Sequence, residues 1–292
     1  MKSLVILTES PSNWHLNELQ MAAESRDWKV FHCPLHALWL ETSAEPWIHF
    51  PPNLLPEGLP LPDAVWVRSI AAGSFEQITF RLGLLHGLGR LGVRVINSAR
   101  AIECCVDKSM TSFLLAAAGI PQPLTRVSEN REVEANWGPS DLVIKPLFGA
   151  MGQGLRRFTP PEMPENSEWD KGVWYYQQFI ASPAKPAKPL YCDYRLLIAQ
   201  NQLVAAMRRE NSHWITNYAQ GGICQAYEPS PREIELAIAA TQAVGATYSG
   251  VDLIHDADNQ PLVIEVNSMP AWHGLQSVTK CTIARSLVDK VL

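Results

Sequence analysis

The chain lacks the features that mark secreted, membrane-spanning or nucleic-acid-binding proteins. Its six cysteines (Cys33, Cys104, Cys105, Cys192, Cys224 and Cys281) are scattered, with two adjacent and no C-x-x-C pair. That spacing suits neither a disulfide framework nor a zinc site, so they read as reduced side chains in a cytoplasmic protein. No N-x-S/T acceptor occurs, and the opening MKSLVILTESP offers one lysine and four consecutive apolar residues. Such a run is too short for a signal-peptide core or a membrane span. The 24 Lys and Arg against 29 Asp and Glu leave a net charge of −5. No basic field draws in nucleic acid or anionic lipid, so neither is an expected partner. His213, His255 and His273 lack metal-ligand spacing, and no Ser-His-Asp or Cys-His set is visible.

What is present describes a well-filled globular chain. At 292 residues, 47% hydrophobic and 18% charged, it holds about two domains' worth of structure. Most of the ten Trp lie outside the motifs below and read as core or subunit contacts, with a dimer or tetramer as the expected assembly. Apolar runs predict strands over 2–7, 28–33, 64–68 and 93–96, alternating with helices over 17–26 and 77–91. That alternation predicts a small parallel α/β layer. A Pro-rich stretch over 46–62 reads as a surface loop. Asp107 suits the N-cap of a helix over 107–118. Further strands are predicted over 142–145 and 155–158, then hairpins over 193–208 and 249–267. SPAKPAKP at 182–189 reads as a connection, and a helix with Pro231 in its first turn follows. The chain divides near residue 100 and again near 170, into units 1–100, 101–170 and 171–292.

Gly87, Gly89 and Gly92 match G-x-G-x-x-G, but a helix precedes them and a strand follows. A dinucleotide fingerprint needs the reverse order, so these glycines read as a helix C-terminus. The segment LVIKPLFGAMGQG is different. A strand delivers Lys145 into Gly149, Ala150, Met151, Gly152, Gln153 and Gly154, where small residues let backbone N–H groups approach phosphate oxygens. Lys108 at a helix start is a second candidate cation.

The segment GVDLIHDADNQPLVIEVNS reads as a hairpin. With Asp258 and Asn259 as the central turn residues, Asp252 lies opposite Glu265; an odd loop would spoil that register. Asn267 then points to the same face. Two opposed carboxylates need a cation, and an all-oxygen set suits Mg²⁺, with Mn²⁺ as a substitute. Arg195 and Arg208 lie on the middle hairpin, where guanidinium groups hold carboxylate or phosphoryl oxygens. Asn217 belongs to a polar, aromatic loop that reads as substrate-facing.

With these residues in order, the chain resembles the ATP-grasp superfamily, and within it the RimK-like amino-acid ligases. The resemblance covers about residues 107–276 and rests on Asp107-Lys108, VIKPLFGAMGQG, YYQQFI, DYRLLIAQNQLVAAMRR, TNYAQGG, GVDLI and VIEVNSMP. It implies an α/β and α+β chain, an ATP-grasp fold preceded by a parallel α/β (pre-ATP-grasp) domain. By the resemblance, Lys108, Lys145 and the glycine loop contact ATP phosphates. Gln177, Gln178, Phe179 and Ile180 line the adenine pocket, and Asp252, Glu265 and Asn267 hold Mg²⁺. Arg208 steadies an acyl phosphate, with Arg195 and Asn217 nearby. Two departures mark this chain: Gln178 stands where the family usually has an acidic residue, and Ala271 follows Pro270 where glycine is common.

The implied reaction joins a small-molecule carboxylate to an amine through an acyl phosphate, with release of ADP. Addition of glutamate to a tetrahydromethanopterin-type pterin leads the substrate expectations, ahead of protein-tail glutamylation and amino-acid carrier ligation. A kinase on the same architecture and a nucleotide-binding module without turnover are the alternatives.

Overall fold

The computed structural model describes residues 2–10, 13–43, 45–131, 137, 140–149, 152–165, 171–181 and 191–292. Ala150, Met151 and the predicted connection at 182–189 lie outside the described residues.

The first layer is a four-stranded parallel sheet in the order β2-β1-β5-β6, formed by β1 (Lys2–Leu7), β2 (Trp28–Cys33), β5 (Ala64–Val67) and β6 (Arg94–Ile96). Leu4 to Leu7 are all fully buried, as expected where helices cover both faces of a parallel sheet. Between β2 and β5 lies a small antiparallel pair, β3 (Trp39–Leu40) and β4 (Ile48–His49). Helix α1 (Trp14–Glu24) starts three residues earlier than its periodicity predicts, because the Asn13 side chain accepts the His15 N–H and caps it there. Helix α2 (Phe75–Arg90) starts with a reciprocal box between Ser74 and Gln77. It contains Gly87 and Gly89 and ends just before Gly92, which has φ +86°. The G-x-G-x-x-G match is therefore a helix terminus.

Helix α3 (Ala99–Val106) was not legible as a separate element. Asp107 closes it and caps the next, α4 (Lys108–Ala117), by accepting the Ser109 and Met110 N–H groups. One aspartate thus sets a corner and places Lys108 at the first position of α4.

A second, four-stranded antiparallel sheet runs β7-β10-β8-β9, from β7 (Thr125–Ser128), β8 (Leu142–Lys145), β9 (Arg156–Phe158) and β10 (Trp174–Gln178). A third, five-stranded sheet runs β13-β12-β11-β14-β15. Its strands are β11 (Tyr191–Ala199), β12 (Gln202–Asn211), β13 (Ile223–Ala226), β14 (Tyr248–His255) and β15 (Pro261–Asn267). Helix α5 (Pro231–Ala243), with Ser230 and Glu233 as its capping box and Pro231 at its start, covers one face through Leu236, Ala237 and Ala240.

The opposite face of this sheet joins the core of the first layer. After a short helix, α6 (His273–Gln276), the closing helix α7 (Ile283–Val291) buries Ile283, Ala284, Leu287, Val288 and Val291. That stripe packs with Leu16 and Leu19 of α1 and with Leu197, Ala205 and Met207 of the five-stranded sheet. The N- and C-terminal parts are therefore one hydrophobic body. At roughly 1.5–3 kcal/mol per fully buried large side chain, this shared core fixes how the two parts sit together.

Candidate active site

The site forms where the glycine loop of the second sheet faces the charged face of the third. Lys145, the last residue of β8, donates to the Gln177 side chain (2.6 Å), and its ammonium lies 5.8 Å from the centre of the Tyr175 ring. Burial pushes its pKa down to about 8; the negative charge of Glu265 opposes the shift and Lys108 adds to it. Lys108 reaches across from α4 and donates to the Gly149 carbonyl (2.7 Å); burial lowers its pKa too, against the pull of Glu265 and Asp107. Two lysines and a glycine loop therefore enclose one space. Gly152 has φ +73°, and a Cβ there would fall 2.8 Å from Ile215 and 2.9 Å from the Asn217 amide oxygen. Only glycine lets the loop lie this close to the segment that carries Ile215 and Asn217.

Asp252 and Glu265 are paired across the closing hairpin, and Gly250 pairs with Asn267. The route to that register differs from the sequence expectation. The turn is not centred on Asp258 and Asn259: strand pairing ends at His255 and Pro261, leaving a five-residue loop. Asp256 organises it, accepting the Asp258 and Gln260 N–H groups, while Asn259 takes φ +59°. An odd loop alone would put Asp252 and Glu265 out of step. A bulge at Ile264 inserts one residue and restores the pairing. It also turns Ile264 and Glu265 toward the same cleft.

Asp252 is only 2% exposed and does not stand free. Arg195 binds it through two contacts of 2.6 Å, and Arg209 reaches it at 3.0 Å. Arg209 is itself 2% exposed and forked onto Asp193, again at 2.6 Å twice. Burial alone would raise the Asp252 pKa, but Arg195 and Arg209 hold it below the usual carboxylate value. Asp193 and Arg209 escaped the sequence reading as site residues. Their position opposite each other on β11 and β12 is the signal that finds them.

Arg208 stands apart from this cluster. It pairs across the hairpin with Tyr194, whose side chain belongs to the core under α5, on the face away from Lys145 and Glu265. There it binds Glu210 at 2.5 Å, with its Nε buried and unpartnered. A bulge at Val204, between the Leu197–Ala205 and Ile198–Leu203 pairings, sets this parity and gives the site face to Arg209.

The space has two connected compartments. The polar one is lined by Lys108, Lys145, Gly149, Gly152, Gln153, Asp193, Asn217, Asp252 and Glu265. The second shares Lys145, Asp193 and Asn217 and adds Gln177, Gln178, Phe179, Ile180, Trp214 and Ile254. Phe179 is its aromatic corner: Tyr191 and Trp214 meet it edge-on, and Arg157 stacks 3.7 Å from its ring centre. The Phe179 N–H is already taken by the Asp141 carbonyl at 2.8 Å, and Gln178 bonds Ser140. Of the described members of the predicted set, Lys108, Lys145, Gly149, Gly152, Gln153, Gln177, Gln178, Phe179, Ile180, Asn217, Asp252 and Glu265 line these compartments, Arg195 binds Asp252, and Gly154, Asn267 and Arg208 line neither. Gly154 follows Gln153 in the glycine loop with φ +71°, and Asn267 sits at the hairpin end, its amide 3.4 Å from the Gly250 carbonyl.

Among the described residues, no group of three His, Cys, Asp or Glu side chains forms a metal site. Two carboxylates and one amide oxygen still fit Mg²⁺, which takes few protein ligands and completes its shell with phosphate oxygens and water. Asp252 Oδ1 receives one guanidinium bond and so keeps a lone pair.

Between the two antiparallel sheets, a cleft of lysines and carboxylates thus adjoins a more apolar pocket. The RimK-like ATP-grasp domain model matches residues 105–291. The chain belongs to this family. Among curated relatives, the tetrahydromethanopterin:alpha-L-glutamate ligase of Methanococcus maripaludis is 35% identical over 78% of each chain. That of Methanosarcina acetivorans is 29% identical over 94% of each. Among solved structures, the ATP-grasp ligase PsnB, complexed with minimal precursor, Mg and ADP, superposes with a TM-score of 0.71 at 20% identity, covering 98% of this chain and 95% of that one. This ATP-grasp chain therefore has the fold predicted for it, with the parallel sheet preceding the two antiparallel ones. Among its described residues no helix is long and apolar enough to cross a membrane.

Proposed function

We propose that the chain is an ATP-dependent carboxylate–amine ligase that adds L-glutamate to a pterin-class carboxylate through an acyl phosphate. The observation that carries the reading is the two-compartment cleft, in which four cations (Lys108, Lys145, Arg195 and Arg209) face three carboxylates. The names of the curated relatives support glutamate and the pterin.

In this reading the adenine lies in the compartment walled by Phe179, and the phosphates lie along Lys145, Lys108 and the glycine loop. Asp252, Glu265 and Asn267 would hold Mg²⁺, which supplies neutralisation of phosphate charge; Mn²⁺ is the substitute we expect to work. A substrate carboxylate oxygen attacks the γ-phosphorus and the bond to the bridging β–γ oxygen breaks, so ADP leaves with that electron pair. The amine then attacks the acyl carbon, inorganic phosphate departs, and the amine proton passes to solvent or phosphate. Neither step needs a protein nucleophile. Buried, preorganised Arg195 and Arg209 stabilise the charge on the transferring group. We assign Arg209 the role that the resemblance gave Arg208.

We propose that the chain divides into an N-terminal α/β domain over 1–100, a central ATP-grasp subdomain with the glycine loop over 101–170, and a C-terminal ATP-grasp subdomain with the metal hairpin over 171–292. A dimer or tetramer in the cytoplasm is the setting we propose; light scattering tests the assembly.

The deciding experiment is an ADP-release screen over carboxylates with glutamate, repeated with hydroxylamine. A ligase yields a hydroxamate from its acyl phosphate. ADP with a stable phosphoester and no hydroxamate would identify a kinase, and ATP binding without ADP would leave only a nucleotide-binding module.

A further inference from the structure

The loop that follows the closing hairpin is held in place by the N-terminal layer. Arg68, directly after β5, donates to the Pro270 carbonyl (2.9 Å) and the Tyr248 hydroxyl (3.2 Å), and its guanidinium stacks 4.4 Å from the centre of the Trp272 ring. From α1, His15 accepts the Trp272 backbone N–H on Nε2 at 3.0 Å. Its Nδ1 lies 2.9 Å from the Asn13 amide oxygen, so the proton sits on Nδ1 and the ring is neutral. Burial, then the charges of Arg68 and His273, pushes the His15 pKa down to about 4, which keeps this acceptor at neutral pH. Trp272 is fully buried beneath these contacts.

The held loop borders the reacting end of the cleft. A Cβ at Gly250 would lie 2.9 Å from the Pro270 ring and 3.6 Å from the Arg195 side chain, so all three meet there. Along β14, Gly250 and Ile254 flank Asp252 on one face. Ile254 belongs to the apolar compartment, which places Pro270 past the phosphate end, on the other side of Asp252. Next along, exposed His273 packs edge-on against Trp14 (4.9 Å) and lies 6.1 Å from Tyr218, the neighbour of Asn217 in the cleft wall.

We infer that Arg68 and His15 are positioning residues that set residues 270–273 as the wall of the compartment where the amine meets the acyl phosphate. This rests on the ligase reading. Neither residue touches the nucleotide compartments. Their loss leaves the first half-reaction running and loosens the wall that excludes water from the second. The acyl phosphate then hydrolyses, and ADP forms without amide.

The test uses the full-length protein and the carboxylate–amine pair that gives the most amide in the ADP screen. Arg68→Met, Arg68→Lys, His15→Leu and His15→Gln are compared with the parent for KM for ATP, ADP rate, amide formed per ADP, and melting temperature. For Arg68→Met and His15→Leu we expect KM for ATP within about twofold and amide per ADP lowered at least about fivefold. Arg68→Lys and His15→Gln, which keep a donor and an acceptor, recover part of the coupling. An unchanged amide-per-ADP ratio in both Arg68→Met and His15→Leu, whatever the ADP rate, overturns the inference and leaves a structural clamp. If Arg68→Met fails to fold, the ratio in His15→Leu decides. A parent protein that makes no ADP with any carboxylate is a failure of the ligase reading itself, and is seen before any variant is made.

Discussion

Arg208 and Arg209 are neighbours in sequence and face opposite sides of one sheet, so exchanging each for Gln separates the two readings of the site. Arg209 is 2% exposed, forked onto Asp193 and 3.0 Å from Asp252. Removing its charge strands the Asp193 carboxylate in the interior, which costs roughly 3–5 kcal/mol, as for other broken buried ion pairs. Against a total stability of about 5–15 kcal/mol this is large, so both variants are first titrated with urea and assayed where each is folded. Loss of a guanidinium preorganised against developing phosphoryl charge should then lower kcat for ADP formation by about 10²–10³. Arg208 makes a partly exposed pair with Glu210, and its Nε has no partner. Arg208→Gln should cost about 0–1 kcal/mol. ADP formation should stay within about threefold of the parent, the size of a sub-kcal/mol change. A folded Arg208→Gln protein that loses 100-fold or more in kcat, on the order of the oxyanion-hole effect, beside a near-normal Arg209→Gln, would refute the facial assignment.

Other outcomes follow from the same geometry. Lys145→Ala or Glu265→Gln should nearly abolish ADP formation while the circular dichroism spectrum is kept; near-normal turnover in either would remove them from the site. The Lys145 ammonium is charged below its value of about 8 and loses its proton above it, so the KM for ATP should rise with pH from about 8 upward. In Lys145→Met, ATP affinity read by calorimetry should show no such weakening, and a pH-independent KM in the parent through pH 9 would show that this lysine does not meet phosphate. Leu287→Ala should cost about 2–5 kcal/mol in urea unfolding, because Leu287 is fully buried in the core shared by α7 and α1. A loss below about 1 kcal/mol would mean that this core does not hold the two parts together.

Much of the fold was legible because local rules and tertiary packing agree. The parallel layer follows from buried apolar runs between capped helices, and Asp107 marks the start of α4 by its side chain alone. Short elements with weak patterns were not legible. Strand β7, for example, is half-buried throughout.

The sequence by itself determined the chemistry available: two lysines beside a glycine loop, an all-oxygen hairpin, and arginines on a neighbouring strand. Only the tertiary structure decided which of them meet. A strand exchanges its faces at each inserted residue, and two single-residue bulges do this here. The one at Ile264 cancels an odd loop, so Asp252 and Glu265 stay opposed as predicted, though by a different turn. The one at Val204 puts Arg208 under α5 and Arg209 in the site. Nothing in local propensity marks either bulge, because each is fixed by which side chains the covering layers bury.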